Sequence, residues 1–199
     1  MYLLGASGHG KVIAEIASLN HLDINAFIDD NQSIQKLMNY DVLHQLPSPN
    51  IEMVISVGNN AIRKKIAEKY NQVTYLTLIH PNSNISTSAN IEKGTVVMAG
   101  VSVNADVVIG KHCILNTNAS IDHDCQIEDF VHISPNAALA GNVQVGEGTH
   151  IGMGAAVIQG IKIGKWCQIG AGAVIISDVP DGATVVGNPG KIIKINSGL

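Results

Sequence analysis

Residues 109–133 read IGKHCILNTNASIDHDCQIEDFVHI, and every sixth residue of this stretch is isoleucine or leucine. The series extends in both directions from Ile79 to Ile175, and all of its members are isoleucine, leucine or valine. A second series, four residues after the first, runs from Ser83 to Ala173 and contains small or β-branched residues. A period of six fits neither a helix nor a strand. It predicts short strands joined by sharp corners and wound into a parallel β-helix, with residues eighteen apart stacked on one another.

The packing of such a β-helix follows from the two series. Both keep the same parity within a strand, so both point inward, while the Gly, Asn, Asp, Lys and Glu residues between them suit corners or face water. A slip of one residue would expose the whole apolar set, so the register is strongly specified. The composition, 46% hydrophobic but 4% aromatic, suits a narrow core of branched aliphatic residues. An antiparallel sandwich, the alternative, would need loops of variable length.

Composition and charge limit the partners that we expect. The net charge of −4 and the scattered lysines provide no basic patch for nucleic acid. No apolar run approaches the ~18 residues of a membrane span and no signal peptide precedes the first strand, so we expect no integral membrane segment and a cytoplasmic location. Cys113, Cys125 and Cys167 all belong to the second series, which predicts small core residues rather than disulfides, metal ligands or nucleophiles.

Residues 1–78 have a different pattern, typical of a small Rossmann-like α/β domain. The predicted elements are a strand at 2–4, a helix ending at Leu19, a strand at 24–28, an irregular stretch with some helical character at 31–49, a strand at 51–57, a helix at 61–70 and a strand at 73–79. This order implies a mostly parallel sheet. We therefore predict two domains, 1–78 and 79–199, with a C-terminal tail from Asp178 that caps the last coil through strands at 184–186 and 191–195.

Three features of the α/β domain fall at the carboxyl ends of its strands, the edge where open α/β sheets bind ligands. They are the loop Gly5-x-x-Gly8-x-Gly10, the pair Asp29-Asp30 and the segment Gly58-Asn59-Asn60. The loop alone is explained equally well as a tight strand-to-helix turn, because its spacing is not the dinucleotide fingerprint. Together the three features favour a nucleotide-linked ligand. An NAD-dependent oxidoreductase is disfavoured, because a second nucleotide-binding half is missing.

Among the histidines, His123 is the candidate general base. It lies between Asp122 and Asp124, either of which could orient the imidazole and stabilise its protonated form. His132 and His150 are eighteen apart, which predicts stacked side chains on one outer face. His112 lies in a different column of the repeat. We interpret His150, His112, His21 and His44 as ordinary surface histidines.

Four motifs together resemble one family among the hexapeptide acyltransferases. They are GASGHG at 5–10, Asp29-Asp30, GNNAIR at 58–63 and VVGNPGK at 185–191, and the chain is similar to sugar acetyltransferases of the PglD/NeuD type. The resemblance implies a left-handed β-helix, a homotrimer, acetyl-CoA bound between adjacent protomers and no metal. His123 would be the proton acceptor and Asp124 would raise its basicity. The nucleotide sugar would contact Ser7, Gly8, His9, Asp29, Asp30, Gly58 and Ala61. Acetyl-CoA would contact His132, Gly141, Met153, Ala171, Pro189 and Lys191.

The resemblance implies N-acetylation of the 4-amino group of a nucleotide-linked 4-amino-4,6-dideoxy sugar, with UDP as the expected nucleotide, in bacterial surface glycan or protein glycosylation biosynthesis. Three residues depart from the family pattern: Asp124 replaces a frequent glutamate, Gly190 a usual alanine and Ala61 a longer polar residue. Three alternatives stay open. One is O-acetylation of sialic acid or another sugar hydroxyl, and another is a non-catalytic trimeric nucleotide-sugar-binding scaffold. The third is a zinc hydratase of the γ-carbonic anhydrase kind, although its closely spaced histidine pair is missing.

Overall fold

The computed structural model describes residues 1–196, so residues 197–199 of the predicted tail lie outside the described part of the chain. The N-terminal region forms a six-stranded sheet in the order β3-β4-β2-β1-β5-β6, with two helices. All neighbouring strands are parallel except β3 and β4. The elements are β1 (Tyr2–Leu4), α1 (Gly8–Leu19), β2 (Ala26–Ile28), β3 (Lys36–Leu37), β4 (Tyr40–Leu43), β5 (Glu52–Ile55), α2 (Asn60–Lys69) and β6 (Thr74–Tyr75).

Two sequence-based expectations for this region were wrong in detail. Residues 31–49 contain no helix but the antiparallel pair β3–β4, whose turn includes Met38 at φ 54° and which extends the sheet at its edge. The strand expected at 73–79 is two strands, because Thr74–Tyr75 pairs with β5 whereas Leu78–Ile79 pairs with Val96–Val97. The chain therefore passes from one domain to the other between these two short strands.

The remainder of the described chain is the predicted parallel β-helix, with three sheets that we call the first, second and third faces. The first face consists of β7 (Leu78–Ile79), β10 (Val96–Val97), β13 (Ile114–Leu115), β16 (His132–Ile133), β19 (His150–Ile151), β22 (Gln168–Ile169), β24 (Ala183–Val186) and β25 (Lys191–Ile195). The second consists of β8 (Asn84–Ile85), β11 (Ser102–Val103), β14 (Ser120–Ile121), β17 (Ala138–Leu139), β20 (Ala156–Val157) and β23 (Val174–Ile175). The third consists of β9 (Asn90–Ile91), β12 (Val108–Ile109), β15 (Gln126–Ile127), β18 (Gln144–Val145) and β21 (Lys162–Ile163).

Strand pairing confirms the predicted register. Paired residues are eighteen apart, as in Val97 with Leu115, and the two inward series fill one continuous core. The three cysteines are free and buried within it. Corner residues have positive φ, and most of them are Gly, Asn or Asp, the residue types that tolerate this conformation best. The tail folds back as the antiparallel pair β24–β25 at the end of the first face.

The outer surface of the first face changes character along its length. Leu78, Val96 and Ile114 point outward but are buried, because they pack in one cluster with Ile13 and Ile16 of α1. Burial of each such side chain contributes about 1.5–3 kcal/mol. The next three residues in the column are His132, His150 and Gln168, so the α/β domain covers the apolar part and its border lies at the imidazoles. Neither helix in residues 1–196 has the length and hydropathy needed to cross a bilayer.

Candidate active site

His123 lies at the corner between the second and third faces, between β14 and β15. Its ring Nδ1 is 2.7 Å from Asp124 Oδ2, and its side chain is 59% exposed. Asp122 has a different role, because its carboxylate accepts from the His123 backbone N–H and from Asn104 Nδ2. The hydrogen bond to Asp124 and the charge of Asp122 raise the pKa of His123 above its usual value. With Nδ1–H donated to Asp124, Nε2 keeps a free lone pair.

Gly141 lies against the ring of His123 on the next coil. A Cβ atom at this position would be 2.6 Å from both Cε1 and Nε2 of the imidazole, so only glycine leaves room for the ring. At the equivalent position one coil earlier, Asp122 caps the backbone N–H of His123. Ala140 precedes Gly141 and cannot do so, and no group in residues 1–196 accepts from the Gly141 N–H. A base and a free amide donor therefore lie side by side.

The N-terminus of α1 is a candidate anion site. Ser7 is the N-cap but its side chain makes no capping hydrogen bond, and the first turn has no acidic residue. Gly10 lets this turn approach the strand end, because a Cβ there would be 2.6 Å from the Gly5 carbonyl oxygen. Within the described chain, no acceptor satisfies the backbone N–H groups of Ser7, Gly8 or His9. Such a terminus favours phosphate groups.

Beside this terminus, a sheet-edge cleft of about 250 Å³ opens at the carboxyl ends of the strands. It is lined by Leu4, Gly5, Ile28, Asp29, Asp30, His44, Gln45, Val57, Ile62, Ile66, Lys69 and Tyr70. The Asp29 carboxylate accepts from the backbone N–H groups of Ala6 and Asn31, so it holds the glycine-rich loop next to the end of β2. Asp30 is exposed to the cleft. His44, interpreted above as a surface residue, lies here with Nδ1 3.0 Å from the Asp29 carbonyl oxygen.

A second, interdomain cleft of about 360 Å³ separates the start of α2 from the first face. It is lined by Gly58, Asn59, Asn60, Ala61, His132, Gly148, His150, Trp166 and Gln168. Gly58 and Ala61 therefore line this cleft and not the sheet-edge cleft of Asp29 and Asp30, because the loop after β5 runs between the two. The sequence motif placed all of them at one edge but could not separate the two sides of that loop.

The imidazoles of the interdomain cleft are neutral at physiological pH. His132 and His150 stack with ring centroids 4.8 Å apart, as their spacing predicts. His132 Nε2 is 3.1 Å from Asn116 Nδ2. His150 Nε2 is 2.7 Å from Ser134 Oγ. Burial, followed by the charge of the neighbouring imidazole, lowers the pKa of His132 to about 3, and burial also lowers the pKa of His150.

Two further histidines are covered. His9 is partly buried near Arg63, and burial followed by the positive charge of Arg63 lowers its pKa to about 4. His112 is buried under the α/β domain, stacked on Phe130 and edge-on to Tyr75, so its interpretation as a surface residue was wrong. Its position in the repeat is an outward corner, and only the docked domain covers it. Within residues 1–196, neither His9 Nε2 nor His112 Nδ1 has a hydrogen-bond partner.

The remaining predicted residues lie on different edges of the β-helix. Met153 and Ala171 are exposed at the corner between the first and second faces. Gly141 and His123 are at the opposite edge of the second face. Pro189 and Lys191 are exposed in the tail, at the turn between β24 and β25. Gly190 in the same turn is tightly packed, since a Cβ would be 2.9 Å from Ile175 Cδ1. One chain therefore does not bring these groups together.

This geometry bears on the replacement of glutamate by Asp124 and on the zinc hydratase alternative. Asp124 reaches His123 despite being shorter than glutamate, as its 2.7 Å contact indicates. No three His, Cys, Asp or Glu side chains in the described chain converge as a set of metal ligands. Sequence reasoning gave no role to Arg63 or Trp166, and it placed Asn60 in a ligand-binding segment without predicting its contacts with the β-helix. The signal for Arg63 was available, because it is the only arginine in the sequence.

Two family models match segments in different parts of the chain. Residues 1–70 match the PglD N-terminal domain, and residues 124–158 and 142–177 match the bacterial transferase hexapeptide repeat. The fold class expected from the sequence, a left-handed β-helix preceded by a small α/β domain, is confirmed.

Solved structures extend the similarity to nearly the whole chain. A histidine-to-asparagine variant of perosamine N-acetyltransferase from Caulobacter crescentus, in complex with CoA and GDP-perosamine, has a TM-score of 0.93 at 34% identity, covering 97% of this chain and 96% of that one. The acetyltransferase domain of PglB from Neisseria gonorrhoeae, in complex with acetyl coenzyme A, has a TM-score of 0.89 at 40% identity, covering 96% and 98%.

Among curated proteins, UDP-N-acetylbacillosamine N-acetyltransferase from Bacillus subtilis is 41% identical over 114 residues, which are 49% of this chain and 50% of that protein. The match thus spans about half the length of this curated relative.

Proposed function

The chain belongs to the hexapeptide-repeat sugar N-acetyltransferases of the PglD type, and we propose that it transfers the acetyl group of acetyl-CoA to the 4-amino group of a nucleotide-linked 4-amino-4,6-dideoxy sugar. The observation that carries the proposal is the pair formed by the His123–Asp124 base and the free amide of Gly141 at one exposed corner. The named relatives act on UDP- and GDP-linked sugars, and we retain UDP as the expected nucleotide.

The chemical step needs a base and an oxyanion donor. The sugar amine attacks the thioester carbonyl carbon, and His123 Nε2 takes the proton that the nitrogen loses as the C–N bond forms. The Gly141 N–H donates to the oxygen that becomes negative in the tetrahedral intermediate. The C–S bond then breaks, and the proton on His123 passes to the departing sulfur. General base catalysis of this kind contributes roughly 10²–10⁴-fold.

The α/β domain is proposed to hold the nucleotide sugar. Free amides of Ser7, Gly8 and His9 at the start of α1 suit the diphosphate, while Asp29 and Asp30 in the adjoining sheet-edge cleft suit the nucleoside. Gly58 and Ala61 then lie on the far side of the shared loop, where the sugar would approach the interdomain cleft.

Acetyl-CoA is proposed to lie between two copies of the chain. His132 on the first face, and Met153 and Ala171 at the corner between the first and second faces, lie on one side, whereas Gly141 lies at the other edge of the second face. A groove shared by neighbouring copies would combine them, with Pro189 and Lys191 at its end. A homotrimer with three-fold symmetry provides three such grooves. We also propose a cytoplasmic location and a role in bacterial glycan or glycoprotein biosynthesis. The three free, buried cysteines suit a reducing compartment.

The experiment is a thiol-release assay with acetyl-CoA and a panel of acceptors: UDP- and GDP-linked 4-amino sugars, and free sialic acid as a hydroxyl acceptor. We expect release with a 4-amino sugar, and we expect His123→Ala to lower kcat by about tenfold or more, with the KM for acetyl-CoA nearly unchanged. Release with sialic acid alone would favour O-acetylation. No release with any acceptor would favour a binding scaffold, and a fully active His123→Ala variant would reject the assigned base.

A further inference from the structure

Arg63 is the only arginine in the 199-residue sequence, and it is 1% exposed. Its guanidinium lies between the loop after β5 and the β-helix, and each of its five N–H groups has an oxygen acceptor at 2.7–3.1 Å. The acceptors are the carbonyls of His112, Val57, Gly58 and Phe130, and Asn60 Oδ1. In the described part of the chain no carboxylate forms an ion pair with it.

A buried cation without a counter-ion is costly, and an apolar side chain of similar volume would avoid that cost. Burial lowers the pKa of Arg63 to about 10, so the group is still charged at neutral pH. What a methionine or a lysine could not reproduce is the planar set of five donors. The contacts of these five N–H groups therefore indicate the role of Arg63.

On the β-helix side, Arg63 binds successive corners. His112 and Phe130 are eighteen apart in one column, and no backbone N–H of residues 1–196 donates to their carbonyl oxygens. Asn60, one turn earlier on α2, donates to the carbonyls of Gly148 and Thr149 at 2.9 and 3.2 Å, on the next coil. The first turn of α2 is thus fixed to three consecutive coils.

On the α/β side, Arg63 holds the loop that separates the two clefts. Val57 lines the sheet-edge cleft, whereas Gly58 lines the interdomain cleft together with His132. One guanidinium therefore contacts the shared wall of both clefts and the β-helix that carries His132.

We infer that Arg63 is a positioning residue for acetyl transfer, which holds the loop at 57–59 against the β-helix and so sets where the bound nucleotide sugar lies relative to the acetyl group. The inference rests on the proposed function. It does not make Arg63 a catalytic residue, because its side chain is enclosed by backbone carbonyls and does not reach the reacting atoms.

The kinetic test compares Arg63→Met with Lys65→Met, an exposed change two residues further along the same helix. We expect Arg63→Met to lower kcat by about tenfold or more, because a displacement of 1 Å can cost up to ~100-fold, and Lys65→Met to behave as wild type. Arg63→Lys should recover only part of kcat, and methylguanidinium added to Arg63→Ala should recover more than added methylammonium. A folded Arg63→Met variant with the kcat of Lys65→Met would overturn the inference.

A second measurement uses the unaltered protein, in case the Arg63 variants fail to fold. Selective ¹⁵N-arginine labelling gives one Nε–H signal, because the chain has one arginine. We expect this signal to shift when saturating UDP, GDP or CoA is added, with thermal shift identifying which of them binds. A signal that stays fixed while a ligand binds would overturn the inference. If the wild-type protein released no thiol with any acceptor, the proposed function would be wrong. The NMR measurement would still show whether ligand binding changes the environment of Arg63.

Discussion

At the scale of single residues, the site depends as much on a missing side chain as on those present. Gly141 provides an uncapped amide and the space that the imidazole of His123 occupies. Glycine at this position is not required by the backbone, since the positive-φ corner residue of this coil is Asn142. The requirement comes from the ring on the preceding coil.

This geometry predicts the effect of Gly141→Ala. The added Cβ would come within 2.6 Å of the His123 ring and force the exposed imidazole away from its position. We expect kcat to fall by about tenfold or more, while the melting temperature changes little because the displaced ring is largely solvent-exposed. The check is a double-mutant cycle with His123→Ala. Once the ring is gone, Gly141→Ala should lower kcat no further, and an equal additional loss in both backgrounds would contradict this explanation.

Sequence alone predicts residues whose role follows from the repeat, and fails where another domain intervenes. His123 is singled out by its flanking aspartates, and the stacking of His132 and His150 follows from their separation of eighteen residues. His112 occupies an outward corner in the same repeat, and nothing in the repeat indicates that Tyr75 and Phe130 will enclose it. The choice between Asp122 and Asp124 also needed coordinates, because both are adjacent to His123 and only side-chain direction separates their partners.

At the scale of elements, the first face shows what the hexad repeat does not predict. The inward positions of its strands were predicted correctly over the full column, because burial there is decided by the repeat itself. The outward positions switch from Leu78, Val96 and Ile114 to His132 and His150, and this switch marks where α1 ends its contact. The short pair β3–β4 was missed since two-residue strands at a sheet edge carry almost no periodic signal.

The burial of His9 and His112 predicts that the free energy of unfolding falls at acidic pH. The pKa values of His9 and His112 are lowered to about 4 by burial, so both are neutral at pH 7. Below the usual histidine pKa of 6.5 the unfolded chain takes up protons that the folded chain cannot take up until about pH 4. The free energy of unfolding is therefore complete above 6.5 and is lost as the pH falls from 6.5 toward 4, by about 1.4 kcal/mol per pH unit for each such group.

The measurement is the melting temperature between pH 7 and pH 4.5 for wild type and His112→Phe. The phenylalanine keeps the stacking with Phe130 and removes both the titrating group and its unpartnered Nδ1. We expect this variant to lose less stability on acidification than wild type. His21→Asn, which removes an exposed imidazole at a turn, serves as the control for loss of a histidine. Parallel pH curves for wild type and His112→Phe would show that burial of His112 does not contribute.

At the scale of the whole molecule, one chain separates the groups that we propose to act in the reaction. His123 is at the corner between the second and third faces, whereas the α/β domain and its two clefts lie over the first face. The hexad repeat fixes these positions rigidly, so no local loop movement can join them. A second copy that presents its own His123 corner to the clefts of the first solves this problem, as a three-fold symmetric assembly would do repeatedly.

Subunit complementation tests that arrangement. One parent is His123→Ala, which lacks the base. The other is Gly8→Asp, which places a carboxylate at the start of α1, where a Cβ meets no atom within 4 Å, so the fold is preserved while a phosphate group is repelled. Each parent alone should be nearly inactive. When the two are co-expressed with different tags and assemble at random, a site is intact if its base comes from one parent and its cleft from the other. With equal amounts of the two chains, we expect about a quarter of wild-type activity in the whole mixture of trimers.

The matched control is wild type co-expressed with the chain that carries both substitutions. Base and cleft come from adjacent copies in this mixture too, so the fraction of intact sites is again about a quarter if the site is shared. If base and cleft belonged to the same chain, the mixture of single variants would stay inactive, while the control would keep about half of wild-type activity, in proportion to its intact chains. At equal amounts of the two co-expressed chains, the ratio of the two mixtures is near one for a shared site and near zero for a site within one chain. It therefore decides whether the β-helix corner of one copy serves the α/β domain of the next.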